Sequence, residues 1–298
     1  MSIFRPYQYK QKPDFPANAP LKNGFFVFWE IYFRKFWRLL TVNILYFIIT
    51  MPILFWFYIA ATGYFADSAA LAEVGMDASE LFAGIGIYFS LFGFIPRVLY
   101  LPLLIISILL YGPATMGVTY IYRNFAREEH AWVSDLFTRG IANIKQGLFF
   151  GIMDAVVIFM LLNGAAGIIL STTKTIAVIS TVLRVLASVM LVFYLYMRHY
   201  FYLISVTMNL SVSAIIKDSI LFVFIGFPRN VLAEIVNLLI IIICFFLVPL
   251  ITFISVPFFF YAFTGFATIF ICYPVVKKYL ILPALEKEKA SEPKEPDE

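Results

Sequence analysis

Long apolar runs, separated by short basic stretches, fill the chain from residue 39 onward. About 20 apolar residues in helical form cross the hydrocarbon core of a bilayer. Six stretches meet or approach that length, at 39–60, 98–122, 147–170, 176–197, 231–248 and 251–275. Lipid offers the backbone no hydrogen-bond partner, so these spans must be helices rather than open sheet. They do not alternate polar and apolar positions as barrel strands would. The pattern predicts an all-α polytopic membrane protein. A seventh apolar stretch, LFAGIGIYFSLFGFI at 81–95, is shorter, holds three glycines and ends at Pro96-Arg97. It reads as an interfacial or re-entrant segment.

A second periodicity precedes alternate spans. In FFVFWEIYFRKFWRLL, residues 25–40, Glu30, Arg34 and Arg38 share one side at helical spacing, while Phe25, Trp29, Tyr32 and Phe36 share the other. Glu30 stands four residues before Arg34, the favourable order for an intrahelical pair. Residues 132–148 repeat the pattern, with Trp132, Leu136, Phe137, Ile141, Ile144 and Leu148 opposite Asp135, Thr138, Arg139, Lys145 and Gln146. A weaker version, SVSAIIKDSILFVFIGFPRN at 211–230, carries Lys217 and Asp218. Three hairpins are expected, each introduced by a surface helix, with polar joints at Arg38, Lys145 and Arg229. Those helices act as membrane-surface anchors, or their basic residues Arg34, Arg38, Arg139 and Lys217 form a docking face for another subunit.

Charge sets the orientation. Only 13% of the 298 residues are charged, against roughly 25% in a soluble domain. With six spans, Arg34, Lys35 and Arg38, then Arg123, Arg127, Arg139 and Lys145, then Arg198, Lys217 and Arg229, then Lys277 and Lys278 fall on one side. Arg97, Lys174 and the acids Asp67, Glu73, Asp77 and Glu80 fall on the other. The positive-inside rule puts the first side, and both termini, in the cytoplasm. The net charge of +4 is then loop charge and calls for no nucleic-acid partner. A seventh crossing at 81–95 would turn later basic loops outward. The polar, proline-rich residues 1–24 lack the apolar core of a cleaved signal peptide. Residues 25–284 form a single helical membrane domain, and the charged tail 285–298 is expected to be disordered.

Candidate chemistry is sparse. Cys244 and Cys272 sit in apolar runs as small hydrophobes. His130 and His199 flank spans as surface groups without metal-ligand spacing. No metal cluster, nucleophile motif or phosphate loop is evident, so neither an enzyme nor a cofactor is expected. Asp154, Arg184 and Glu234 fall within predicted spans, where ionisable groups are costly and mark function by default. Asp154 and Arg184 occupy consecutive antiparallel helices. An ion pair between them is the first expectation, with a proton or substrate relay and snorkelling to opposite interfaces as alternatives. Asn163, Asn209 and Asn237 are candidates for interhelical hydrogen bonds. Gly112-Pro113 interrupts the second span: Pro113 lacks an N–H and crowds the carbonyl of Leu109, so a kink is expected, with Thr115 able to satisfy a freed carbonyl. The kink serves as a structural device or as a hinge in a transport cycle.

The run GPATMGVTYIYRNFAREEHAWVSDLFTRGIANIKQGLFFG, residues 112–151, resembles the signature region of the YesL-like family of bacterial integral membrane proteins of unknown function. The matching positions are Pro113, Ala114 and Thr115, then Tyr120, Tyr122 and Arg123, then Asn143, Lys145 and Gln146, with Ile144 where an aromatic is usual. WRLLTVNILYFIITMPI at 37–53, with Asn43 and Pro52, is similar to the family's first span. The insert at about 62–97 departs from the short connection usual there. The resemblance implies a bacterial plasma-membrane protein, encoded near carbohydrate ABC transporters and glycan-degrading enzymes and accessory or regulatory to sugar uptake, with a permease as partner. It brings no residue-level activity. The coupling sequence of a core ABC permease is not evident. A self-sufficient transporter or channel, using the kinked second helix and Asp154 with Arg184, is the alternative.

Overall fold

The computed structural model describes residues 23–65, 97–166, 174–247 and 254–291. The segment at 81–95, the acidic stretch from Asp67 to Glu80, the N-terminal residues to 22 and the tail beyond 291 lie outside the described residues. Among the described residues ten α-helices can be followed: α1 Gly24–Arg34, α2 Phe36–Phe65, α3 Tyr100–Ala126, α4 Asp135–Ala142, α5 Ile144–Ala166, α6 Lys174–Ser205, α7 Val212–Ile225, α8 Phe227–Ile241, α9 Tyr261–Val276 and α10 Leu282–Ser291. Wider π-turns extend α8 over Ile242–Leu247, lead into α9 over Val256–Phe260 and join α9 to α10 over Lys277–Ile281. Six helical segments among the described residues are long and apolar enough to cross a membrane. The all-α polytopic expectation holds. Helix α10 reaches Ser291, into the tail expected to be disordered, because LEKEKA is made of strong helix formers.

Each of α1, α4 and α7 is separated from the following long helix by one residue: Lys35, Asn143 and Gly226. The three share a backbone conformation, with φ/ψ of −103°/7°, −105°/23° and −89°/7°. This lies at the edge of helical space, in the sparsely allowed bridge region. Each N–H still bonds back into the helix it ends, and each carbonyl accepts from the first turn of the next, as in Leu39 to Lys35, Gly147 to Asn143 and Asn230 to Gly226. A single such residue redirects the chain without leaving orphaned backbone groups. The joints expected at Arg38, Lys145 and Arg229 are thus displaced two or three residues toward the N-terminus. The reason is that Arg38 and Arg229 brace the joint from three residues beyond it, and Lys145 adjoins the third brace, Gln146.

The bracing repeats as well. Three residues beyond each break, a side chain reaches the far end of its own hairpin: Arg38 donates to the carbonyl of Ala131 (3.3 Å), Gln146 to Leu210 (2.8 Å) and Arg229 to Ile271 (2.9 Å). The short helices close a ring. Helix α4 lies on α3, where Arg139 stacks 4.7 Å over Tyr120. Helix α7 lies on α6, with Tyr200 and Phe222 ring centres 5.4 Å apart. Helix α1 lies on α9, with Phe28 5.3 Å from Phe266 and Tyr32 5.4 Å from Phe263. Each short helix therefore packs on the second long helix of the preceding hairpin, and α3, α6 and α9 touch one another at the centre. The chain is a pseudo-threefold arrangement of hairpins.

Gly112 and Pro113 lie where three of these helices cross. A Cβ on Gly112 would overlap the Gly147 carbonyl, one on Gly147 would stand 2.9 Å from the Pro113 Cα, one on Gly151 2.7 Å from the Gly112 Cα, and one on Gly140 2.8 Å from the Pro113 carbonyl oxygen. Gly147 and Gly151 form a small-xxx-small stripe that lets helix backbones touch. Helix α3 runs through Pro113 without a break. Thr115 donates not to the carbonyl of Leu109 but to that of Tyr111, at 2.7 Å. A large side chain at this crossing has to push backbone apart, for which about 1 to 3 kcal/mol is the usual cost. Gly147→Leu is expected to lower the thermal unfolding midpoint of the detergent-solubilised protein. Gly24→Leu, where a Cβ meets nothing within 4 Å, should leave that midpoint in place.

Candidate functional site

The three central helices do not fill the middle of the bundle. A cavity of about 900 Å³ lies between the hairpins, walled by α2, α3, α5, α6, α8 and α9. That volume is at the upper end of the range for small-molecule sites, roughly 300 to 1,000 Å³. The repeat delivers its polar wall. Eleven residues beyond the three breaks stand Tyr46, Asp154 and Asn237. Each pairs with the second helix of its own hairpin: the Tyr46 hydroxyl with Thr115 Oγ1 at 2.8 Å, Asp154 with Arg198 at 2.8 Å, and Asn237 Nδ2 with Thr268 Oγ1 at 3.0 Å. All six residues line the cavity.

Asp154 is the most demanding of them, because it is 1% exposed and carries a charge into an apolar bundle. Its Oδ2 accepts from Arg198 Nε at 2.8 Å and from the Tyr202 hydroxyl at 2.9 Å. Its Oδ1 accepts from the Tyr194 hydroxyl at 2.6 Å. Arg198 Nη2 donates in turn to the Tyr111 hydroxyl, and the guanidinium lies 5.3 Å from the Tyr202 ring centre. Three directed donors engage both oxygens of the carboxylate, and such additional hydrogen bonds are what lets a buried ion pair repay its desolvation. A second pair stands beside it, His199 Nε2 and Glu234 Oε1 at 2.8 Å, tying α6 to α8.

Three expectations are corrected here. Asp154 pairs with Arg198, not Arg184. Arg198, counted among loop charges, lies within α6, which runs on to Ser205. The apolar run ends at Met197 only because the next residue is charged, and that charge is cancelled inside the bundle. Arg184 lies fourteen residues earlier, about 21 Å along the helix at ~1.5 Å per residue. Its Nε and Nη2 are buried without a hydrogen-bond partner among the described residues. His199, expected at the surface, has a side chain only 9% exposed and meets Glu234.

The remaining candidates divide. Arg123 is 8% exposed; it donates to Asn124 Oδ1 and to the carbonyl of Val206, closing the C-terminal end of α6. Asn143 Nδ2 donates to the Arg139 carbonyl at 2.9 Å, capping α4, and Lys145 is exposed. Of the residues assigned to a docking face, Arg34 pairs with Glu128 at 2.8 Å rather than with Glu30, Arg38 lies 5.3 Å over Trp132, and Arg139 lies on Tyr120. Lys217 is exposed on α7. Asn237 bonds as expected, Asn209 is exposed, and the side chain of Asn163 lies outside the described residues. Cys244 and Cys272 are both buried, as the apolar runs around them predict. No group of three or more His, Cys, Asp or Glu placed to hold a metal ion occurs among the described residues. Sequence reading missed Tyr46, Tyr194, Tyr202, Arg198 and Glu234 as partners. Only Tyr46 carries a signal of its own, standing eleven residues past Lys35 as Asp154 stands past Asn143 and Asn237 past Gly226.

The fold and the cavity define a multi-pass integral membrane protein whose described helices form three hairpins around a largely apolar cavity that carries a few polar side chains. Compared with family models, with curated proteins and with solved structures, the chain matches none.

Removing one member of a buried pair leaves the other uncompensated, at a cost of about 3 to 5 kcal/mol, whereas replacing both with apolar groups is often neutral. Arg198→Met alone is therefore expected to destabilise the protein strongly. Adding Asp154→Leu should recover much of the loss, read as the midpoint of denaturant unfolding in mixed micelles.

Proposed function

We propose that the protein is a non-enzymatic, membrane-embedded ligand-binding protein that holds a small molecule in the central cavity and acts as an accessory to carbohydrate uptake by an ABC-type transporter. The observation that carries the binding reading is the cavity itself, whose charged wall groups are already paired, so that a ligand meets fixed hydrogen-bonding side chains rather than a bare charge. The resemblance of residues 112–151 to YesL-like proteins supports the accessory role and a bacterial plasma membrane. The break-bearing face carries Arg34, Arg127, Arg139, Lys145 and Lys217, which favours its placement in the cytoplasm, with both termini. Exposed Lys217 and Lys145 are left for contact with a permease.

Purification from native membranes in a mild detergent, followed by mass spectrometry of what comes with the protein, tests the role. Recovery of a sugar-transporter permease, reduced by Lys217→Glu together with Lys145→Glu, is the expected result. A homogeneous preparation carrying no permease would speak against it.

Passage of α3 through Gly112-Pro113, beside Ile108, Tyr111 and Thr115 of the cavity wall, favours a second reading: a transporter that works alone. Uptake into liposomes holding only this protein, abolished by Asp154→Asn, would establish that reading instead.

A further inference from the structure

We propose that the cavity takes a single-chain amphiphile with an uncharged, hydroxyl-bearing head. This rests on reading the cavity as a ligand site. The cavity, about 900 Å³, is partly open to its surroundings, with Phe159 64% and Met160 66% exposed at its apolar end, so a molecule can enter it.

The walls specify what. Beyond the polar positions, the cavity continues between Ile53, Leu54, Leu104, Ile108, Phe159 and Met160. Phe159 and Met160 stand sixteen and seventeen residues past Asn143, about 24 to 26 Å along α5 at ~1.5 Å per residue. Apolar walls give water no partners, so ordered water is a poor filling for this half. A hydrocarbon chain suits it. The half nearer the breaks is walled by Tyr46, Tyr111, Thr115, Tyr202, Asn237 and Thr268. Hydroxyls and amides both donate and accept, as a hydroxyl-bearing head requires. The charged pair in that wall, Asp154 with Arg198, is matched within the protein, and His199 Nε2 lies 2.8 Å from Glu234 Oε1. A charged head would enter without a counter-charge, or would break one of these pairs, at a cost of several kcal/mol.

The test uses the full chain in lipid nanodiscs with three diazirine-bearing alkyl probes that differ only in the head: glucoside, phosphate and trimethylammonium. Cross-linked peptides are mapped by mass spectrometry, using the lipid-facing stretch 182–192 of α6 as the background. The alkyl glucoside is expected to label peptides carrying Leu54, Leu104 and Phe159 roughly tenfold above background, the equivalent of ~1.4 kcal/mol. Free glucose should not displace it, and neither charged probe should match it. Ile108→Trp, which fills the apolar half, should abolish the labelling. Asn237→Leu should weaken it severalfold; folding should tolerate that change, since a membrane hydrogen bond is worth only about 0.6 kcal/mol on average. Equal labelling by a charged probe, or displacement by free glucose, would overturn the assignment of an uncharged amphiphile while leaving the cavity a ligand site. Labelling by all three probes at background only would refute both.

Discussion

A carboxylate buried among apolar helices has to be answered by a positive charge in hydrogen-bonding contact, and the bundle is arranged around the way Asp154 is answered. Arg198, Tyr194 and Tyr202 supply three donors from one helix. The spacing of 194, 198 and 202 puts them one turn apart on a single face of α6. Helix α6 must therefore carry its charge deep into the bundle, and it holds α5 in register by doing so. Tyr111 brings α3 to the same cluster through Arg198. Polar contacts that would be weak singly become a fixed point between three helices because both carboxylate oxygens and two guanidinium nitrogens are engaged together.

The other two hairpins solve the same geometric problem with neutral groups. Tyr46 with Thr115 and Asn237 with Thr268 occupy the positions that Asp154 and Arg198 occupy in the second. The break, the brace three residues on and the polar contact eleven residues on form one unit used three times with different chemistry. Closure of the ring by α1 on α9 gives every short helix the same neighbour in the preceding hairpin. The cavity lies between the hairpins, with Tyr46, Asp154 and Asn237 and their three partners in its wall.

Much of this was legible in the sequence. Apolar length located the six spans, since lipid tolerates little else, and amphipathic spacing located the three short helices. Two kinds of feature were hidden. Arg198 looked like a loop residue because hydropathy treats every charge as unpaired, while its partner lies 44 positions earlier in the chain. At Gly112-Pro113 local chemistry predicts a kink, and the helix continues through it. Its place in the structure is set by Gly140, Gly147 and Gly151 on helices that single-segment reasoning does not bring together. The repeat itself is visible only as unequal intervals, and the structure keeps them unequal, since the breaks at Lys35, Asn143 and Gly226 stand 108 and 83 residues apart.

The claim on which the rest depends is that Asp154 faces Arg198 across α5 and α6. Paired cysteines at 154 and 198, in a background with Cys244 and Cys272 replaced, test it through cross-linking by a short bifunctional thiol reagent in native membranes. A second pair at 154 and 184 serves as the comparison. The structure predicts efficient linkage of 154 to 198 and none of 154 to 184, which lies about 21 Å further along the helix at ~1.5 Å per residue. Linkage of 154 to 184 with none to 198 would contradict the register of α5 against α6, and with it the cavity that the register creates.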